Sequence, residues 1–165
     1  ECRTLRIPFI FDPGQQCARM SGPELRDGLV GARVVICNDY EFELIRQKTD
    51  MGEDDVLEVT DALVVTRGEQ GCSIYQDGDR ADVRAVVPRR IVDPTGVGDA
   101  FRGGFMRGMA AGAPYAVCAQ LGSVAATYAL EHLGGQSHAY TLGEFRARYE
   151  EHFGPLPGFP AHARA

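Results

Sequence analysis

The chain contains 165 residues, the size of one ordinary domain, and with 44% hydrophobic and 24% charged residues it can form a packed core and is not intrinsically disordered. Seventeen Lys and Arg residues against 23 Asp and Glu residues give a formal net charge of −6, which argues against a surface for nucleic acid or anionic lipid. No apolar run approaches the length of about 20 residues that a membrane-spanning helix needs.

The five cysteines are odd in number and widely spaced, and no two of them form a C-x-x-C pair. This spacing favours free thiols over a disulfide framework or a zinc site. Cys37, Cys72 and Cys118 stand among apolar residues, where a thiol packs as a small hydrophobic group. A reducing cytoplasm is therefore the expected location.

The first half of the chain alternates short apolar runs with helical patterns. Ser21 is a candidate N-cap for a first helix, and a second helix is predicted over residues 41–48. Residues 76–79 predict a hairpin turn. The predicted strands cover residues 7–11, 34–37, 62–66 and 72–75.

The second half is predominantly helical. Residues 84–87 are predicted as a last strand, and helices are expected over residues 98–111, 114–132 and 141–152. The last helix opens with Thr141-x-x-Glu144, the pattern of a capping box. The tail, residues 154–165, is rich in Pro, Gly and Ala and is expected to be flexible.

Apolar strands that alternate with helices predict an α/β fold in which a mostly parallel sheet is flanked by helices on both faces. Ligands of such sheets bind beyond the carboxyl ends of the strands. Three polar clusters, residues 12–16, 38–41 and 66–71, follow predicted strands. These clusters predict a binding edge.

The most distinctive local pattern is the run Asp93-Pro94-Thr95-Gly96-Val97-Gly98-Asp99, in which a glycine turn opens directly into a helix. Backbone amides there are expected to face an anion, because the helix dipole is positive at this end. Asp99 is either a helix cap or a general base beside a transferred phosphoryl group. The run lacks the third glycine of a dinucleotide-binding loop, and the chain contains no P-loop.

The run from Asp93 to Asp99 closely resembles the D-T-x-G-A-G-D signature of the ribokinase-like, or PfkB-type, carbohydrate and nucleoside kinases. Val97 stands where that signature has Ala, and Pro94 where Thr is common, and neither change removes a donor amide that the mechanism uses. Three further motifs follow the family's order: Asn38-Asp39-Tyr40-Glu41 for N-x-x-E, Thr66-Arg67-Gly68-Glu69-Gln70-Gly71 for T-x-G-x-x-G, and Gly134-Gly135-Gln136 for the turn near adenine.

The resemblance implies a catalytic role for each matching residue. Asp99 corresponds to the base that contacts the acceptor hydroxyl and takes its proton, and Gly96, Val97 and Gly98 to the anion hole for the γ-phosphoryl group. Arg102, three residues after Asp99, lies on the same helix face and is a candidate substrate contact. A solvated salt bridge is the alternative role for Arg102.

The other matches imply a nucleotide site for ATP. Asn38 and Glu41 match the pair that holds Mg²⁺ through water, and a capped helix start is the alternative. Asp93 and Thr95 match positions around a monovalent-cation site, which suggests K⁺. The other cofactor-binding candidates, for which turn geometry or helix packing is the alternative, are Thr66, Gly68, Gly71, Ser123, Ala126 and Gly135.

The implied activity is transfer of the γ-phosphoryl group of ATP to a primary hydroxyl of a nucleoside. Residues 9–16, 38–41 and 99–102 look most like bacterial adenosine-kinase-type members, which favours adenosine. The alternatives are a ribokinase- or fructokinase-type sugar kinase and a catalytically silent nucleotide-binding or dimerising module of the same fold, and a homodimer is compatible with each.

Members of this family are roughly twice as long as this chain. Nothing here matches their N-terminal part, which supplies much of the sugar pocket and a small β-sheet lid. Residues 1–153 are therefore expected to be the C-terminal portion of a ribokinase-like kinase domain, with the ATP site and the catalytic base but without the lid.

Overall fold

The computed structural model describes residues 1–157, so residues 158–165 of the predicted tail lie outside the described part. The chain forms two compact units. The first comprises Glu1–Gly68 and Cys72–Asp82, and the second comprises Glu69–Gly71 and the chain from Val83 onward. No helix within residues 1–157 has the length and apolar character that crossing a membrane requires.

The sheet has five strands in the order β1 to β5: Ile10–Phe11, Val34–Asn38, Leu63–Thr66, Cys72–Gln76 and Asp79–Val83. The strands β1, β2 and β3 are parallel, and β4 runs antiparallel to β3. The change of direction follows from the short turn between Thr66 and Cys72, because a parallel connection needs a dozen or more residues. The expected α/β fold, a sheet flanked by helices, is confirmed, and the sheet is mixed, with β1, β2 and β3 as its parallel part.

The first unit surrounds its strands with helices α1 to α4: Cys2–Leu5, Gly22–Leu29, Asp39–Thr49 and Glu53–Leu57. A 3-10 helix over Gly14–Ala18 follows β1. Leu25, Leu29 and Ile45 pack with the buried strand residues Val35 and Leu63 in one apolar core. This core holds the carboxyl ends of β2 and β3 side by side, with Asn38 opposite Thr66.

The last strand differs from the prediction. It covers Asp79–Val83, whereas residues 84–87 form no strand. The polar residues of β5 are exposed and give no apolar signal, while the buried Val86 bonds to a helix: its amide donates to Ser123 Oγ at 2.8 Å and its carbonyl accepts from Thr127 Oγ1 at 3.2 Å. Side chains therefore replace the strand partner that the apolar pattern suggested.

The second unit is built on helices α5, α6 and α7: Val97–Ala110, Tyr115–Leu130 and Leu142–Phe153. The first two pack closely because glycines lie where they meet. A Cβ at Gly104 would come within 2.6 Å of Leu121 O, and one at Gly122 within 2.8 Å of Phe101 O. The α5 helix, which carries Asp99 in its first turn, is thereby fixed against α6.

The cysteines are free thiols, as the spacing predicted. Cys17, Cys37, Cys72 and Cys118 are buried, and only Cys2 is exposed. Burial raises the pKa of Cys72 to about 12 and that of Cys118 to about 11. Neither of these thiols is therefore reactive at neutral pH.

Candidate active site

The glycine turn of the second unit sets the start of α5. Gly96 is the N-cap residue and has the left-handed angles φ 77° and ψ 2°, which a residue without a side chain adopts most easily. Its carbonyl accepts from Ala100 N at 2.9 Å and so begins the helix. Within the described residues, α5 has no side chain that caps its first turn, so that turn presents backbone N–H groups and the positive end of the dipole.

Asp93 ties this turn to the Gly134–Gly135 loop. Its Oδ1 accepts from Thr95 N and its Oδ2 from Gly134 N, each at 2.8 Å. Hydrogen bonds from Thr95 and then from Gly134 lower the pKa of Asp93, so the carboxylate stays ionised. Its role in this structure is to join two segments that are far apart in sequence.

The two glycine loops approach each other at the backbone. A Cβ on Gly96 would lie 2.6 Å from the Cα of Gly135 and 2.9 Å from its carbonyl oxygen. No side chain fits there. Gly135, one of the predicted nucleotide-binding residues, therefore lies directly against the turn that precedes Asp99.

One of the three amides predicted to form the anion hole is bonded within the turn. Val97 N donates to Pro94 O at 3.3 Å, which is a long hydrogen bond. The Val97 amide would have to exchange that partner to hold an anion. Gly98, which follows, is exposed at the surface of the first turn.

Asp99 lies in this first turn of α5, and its side chain is 86% exposed to solvent. Arg102 Nη1 lies 3.0 Å from Asp99 Oδ1, and the Arg102 side chain is only 25% exposed. Desolvation lowers the pKa of Arg102, which remains charged because its ordinary value is so high. The predicted common helix face of the two residues is confirmed by this contact.

Asn38 and Glu41 form a reciprocal capping box at the start of α3. Asn38 Oδ1 accepts from Glu41 N at 2.7 Å, and Glu41 Oε2 accepts from Asn38 N at 2.8 Å. Glu41 is 8% exposed, so its carboxylate is held close to the helix end. The capped helix start, which the sequence left as an alternative, is therefore present.

The same pair is compatible with Mg²⁺ only through water. One Glu41 oxygen is engaged in the cap, and within residues 1–157 no three His, Cys, Asp or Glu side chains are grouped so as to hold a metal. Direct coordination by a cluster of carboxylates has no basis here. A hydrated Mg²⁺ fits better, because it binds through one or two carboxylates and keeps several waters.

The turn after β3 combines two glycines with different constraints. Gly68 has φ +54° and nothing within 4 Å of an added Cβ, whereas a Cβ on Gly71 would lie 2.0 Å from Val83 O. Gly71, whose φ is +90°, is thus required by both packing and backbone angle, and Gly68 by backbone angle alone. Thr66 Oγ1 donates to Cys37 O at 3.4 Å. The neighbouring Arg67 is engaged locally, 3.9 Å from Asp82.

Ser123 and Ala126, predicted near adenine, lie on α6. The Ser123 hydroxyl accepts from the Val86 amide, and the residue is buried. Ala126 is half-buried. Both residues therefore have a packing environment, and their contact with adenine stays a prediction.

The buried ion pair between Glu131 and Arg148 was not predicted from the sequence. Glu131 accepts from Arg148 in a two-pronged pair of 2.5 and 2.8 Å, and it also accepts from Arg89 N at 2.6 Å. The bonds from Arg148 lower the pKa of Glu131, while Glu131 raises that of Arg148. Seventeen residues separate the pair, so no local spacing signals it.

A glycine turn that opens a helix, with an exposed carboxylate in the first turn, is the arrangement that the sugar- and nucleoside-kinase motifs of the sequence predict. Residues 7–141 match the pfkB family of carbohydrate kinases. The chain belongs to that family, which confirms the resemblance seen in its motifs.

The relatives include several nucleoside kinases. The nucleoside kinase of Methanocaldococcus jannaschii is 31% identical over 142 residues, which cover 86% of this chain and 47% of the relative. That of Methanothermobacter thermautotrophicus is 33% identical over 156 residues, covering 94% and 50%. The chain thus spans about half the length of the curated relatives it matches.

Solved structures show the same fold. Burkholderia thailandensis nucleoside kinase in complex with inosine is 39% identical with a TM-score of 0.92, covering 95% of this chain and 52% of that chain. The nucleoside kinase of M. jannaschii is 30% identical with a TM-score of 0.84, covering 88% and 48%. These similarities confirm the ribokinase-like fold.

Proposed function

We propose that this chain is the catalytic, nucleotide-binding portion of a nucleoside kinase that transfers the γ-phosphoryl group of ATP to a primary hydroxyl. The observation that carries the proposal is Asp99, an exposed carboxylate in the first turn of a helix that begins at a left-handed glycine. An acid that served only as a helix cap would not need Asp93 and Gly135 to shape the turn before it.

The proposed reaction uses Asp99 as its general base. Its carboxylate accepts the proton of the primary hydroxyl as the hydroxyl oxygen forms a bond to the γ-phosphorus. The bond from that phosphorus to the β,γ-bridging oxygen breaks, and ADP leaves. Amides of the first turn of α5, with Gly96 and Gly98 foremost, stabilise the charge on the transferred group.

The nucleotide contacts are assigned residue by residue from the family motifs. Asn38 and Glu41 would hold Mg²⁺ through water, and the ion would supply charge neutralisation on the phosphates. Thr66, Gly68 and Gly71 contact phosphate and nucleotide, and Ser123, Ala126 and Gly135 border adenine. Asp93 and Thr95 are candidates to border K⁺, although both Asp93 oxygens already accept amide hydrogens.

Adenosine remains the proposed acceptor among nucleosides. Nucleoside kinases are among the relatives, which supports a nucleoside over a free sugar as the acceptor. The solved complex of the B. thailandensis enzyme contains inosine, which, like adenosine, joins a purine base to ribose. A nucleoside pocket gains binding energy from the base, which can be used to position the 5′-hydroxyl.

The buried, unreactive thiols support a cytoplasmic location, in which disulfides do not form.

A coupled ADP-release assay tests the proposal. The intact gene product that carries this chain is supplied with MgATP and with adenosine, inosine, cytidine, ribose or fructose at equal concentrations. We expect the highest kcat/KM with adenosine and values for free sugars at least about tenfold lower. A higher kcat/KM with inosine or cytidine would rule out adenosine as the preferred acceptor and would leave the nucleoside-kinase assignment unchanged. A preference for ribose or fructose would replace the nucleoside assignment with a sugar kinase.

The catalytically silent alternative is tested with the same protein. Calorimetry with MgATP measures nucleotide binding independently of turnover. Binding without ADP release from any of the five acceptors would identify a nucleotide-binding module and overturn the kinase proposal.

A further inference from the structure

The ion pair between Asp99 and Arg102 is asymmetric. The two charged atoms are 3.0 Å apart, yet the Asp99 side chain is 86% exposed while that of Arg102 is 25% exposed. The carboxylate therefore projects from the surface, and most of the arginine side chain that contacts it is covered by protein.

In two other ion pairs within a single helix, the arginine is more than half exposed. Arg46 and Glu43 are 52% and 54% exposed, and Arg146 and Glu150 are 62% and 38% exposed. Such exposed pairs contribute little to stability. An enclosed arginine, in contrast, has few orientations and can restrict the carboxylate that it holds.

The helix dipole and desolvation both oppose the placement of Arg102. Its guanidinium folds back to the first turn of α5, where a Cβ on Gly98 would lie 3.0 Å from Nη1. A cation near the N-terminus of a helix opposes the macrodipole. Desolvation adds to this cost and lowers the pKa of Arg102. From this position Arg102 contacts Asp99, and the attraction between the two charges offsets part of that cost.

We infer that Arg102 is a positioning residue for Asp99, an inference that rests on the proposed function. Its Nη1 holds Oδ1 of the carboxylate, which limits rotation of the side chain and directs Oδ2 toward the hydroxyl that loses its proton. Because a general base must lie within hydrogen-bond reach of that proton, a carboxylate free to rotate spends less time in the productive geometry.

The experiment is a double-mutant cycle on the intact gene product, with kcat and KM measured for MgATP and the preferred nucleoside. The variants are Arg102→Met, Arg102→Lys, Asp99→Asn and the double variant Asp99→Asn with Arg102→Met. We expect Arg102→Met to lower kcat about 10- to 100-fold with little change in either KM. Arg102→Lys should recover part of this loss, because the charge is kept and the planar fork is not.

The decisive comparison is the double variant. When the base is already removed, Arg102 has nothing left to position, so the double variant should turn over at the rate of Asp99→Asn alone. A further drop equal to that of the single Arg102→Met variant would overturn the inference, since it would show that Arg102 acts independently. A raised KM for MgATP in Arg102→Met would also overturn it, in favour of direct contact with phosphate.

Matched controls separate this inference from folding and from the proposed function. Arg146→Met removes the exposed arginine of another helical ion pair and should leave kcat unchanged. Melting temperatures of all variants show whether the fold is kept. If Asp99→Asn retains full turnover, the proposed function fails. If Asp99→Asn is inactive but Arg102→Met has full activity, only the positioning role fails.

Discussion

Asp93 Oδ2 accepts a hydrogen bond from the backbone nitrogen of Gly134 at 2.8 Å, although 41 residues separate the two in the chain. This bond, with that from Thr95, joins the turn that precedes α5 to the loop that follows α6. The two segments, which carry separate sequence motifs, thus form one structural unit.

Gly96→Ala tests the close approach of these loops. The new Cβ would meet Gly135 at 2.6 Å and would force a side chain into the left-handed region, at an expected cost of about 1–3 kcal/mol in the free energy of unfolding. Gly134→Ala is the matched control, since Gly134 has φ +83° but nothing within 4 Å of its Cβ. Chemical denaturation should show the larger loss for Gly96→Ala. Equal losses would mean that backbone angle alone matters.

Asp93→Asn tests the bridge through its pH dependence. Because hydrogen bonds lower the pKa of Asp93 in the folded state, the ionised carboxylate stabilises the fold above the unfolded-state pKa of about 4. This contribution disappears as the pH falls through the lower folded-state pKa. The difference in melting temperature between wild type and variant should therefore be full at pH 6 and shrink below pH 4.

The exposed Asp61→Asn is the control for that measurement, because Asp61 uses its backbone rather than its carboxylate in the contact with Ala32. It should give a small difference in melting temperature at every pH. A difference for Asp93→Asn that does not vary with pH would contradict the assigned role of the carboxylate.

Asp99→Asn should lower kcat by about 10²- to 10⁴-fold, the range that a general base contributes, while the affinity for ATP changes little. The carboxylate is needed to take a proton in the transition state and not to hold the nucleotide. Steady-state kinetics measure the first quantity, and calorimetry with MgATP measures the second. Comparable turnover in the variant would exclude Asp99 as the base.

Glu41→Gln separates the magnesium role from the capping role. The amide oxygen of Gln can still accept from Asn38 N, so the cap is largely kept while the negative charge is lost. The Mg²⁺ concentration for half-maximal rate should rise, with a small change in melting temperature. Glu144→Gln, in the capping box with Thr141, is the control and should leave the magnesium titration unchanged.

Glu131→Gln should be strongly destabilising. It leaves the buried charge of Arg148 without its anionic partner, which costs up to about 3–5 kcal/mol. The amide oxygen still accepts from Arg89 N, so the backbone contact is kept. Adding Arg148→Met to this variant should restore part of the stability in urea denaturation. If the two losses simply add, the pair is not coupled.

Local sequence patterns determined the helix starts and the glycine turn of this protein. The capping boxes that begin α2, α3 and α7 join residues three apart, so the helix starts are encoded within a single turn. The glycine turn and the helix start that carries Asp99 could likewise be predicted, because a left-handed residue and a helix N-terminus favour particular residue types at adjacent positions. These motifs sufficed to predict the family and the candidate site residues.

Tertiary structure decided what depends on distant partners. Residues 84–87 form no strand because Ser123 and Thr127 of α6 form hydrogen bonds with the backbone of Val86, while the mostly polar Asp79–Val83 pairs in the sheet. The Glu131–Arg148 pair and the bond from Gly134 to Asp93 likewise cross long separations in the chain. Sequence spacing determines which residues share a turn or a face, whereas burial and hydrogen-bond partners are determined only when distant segments meet.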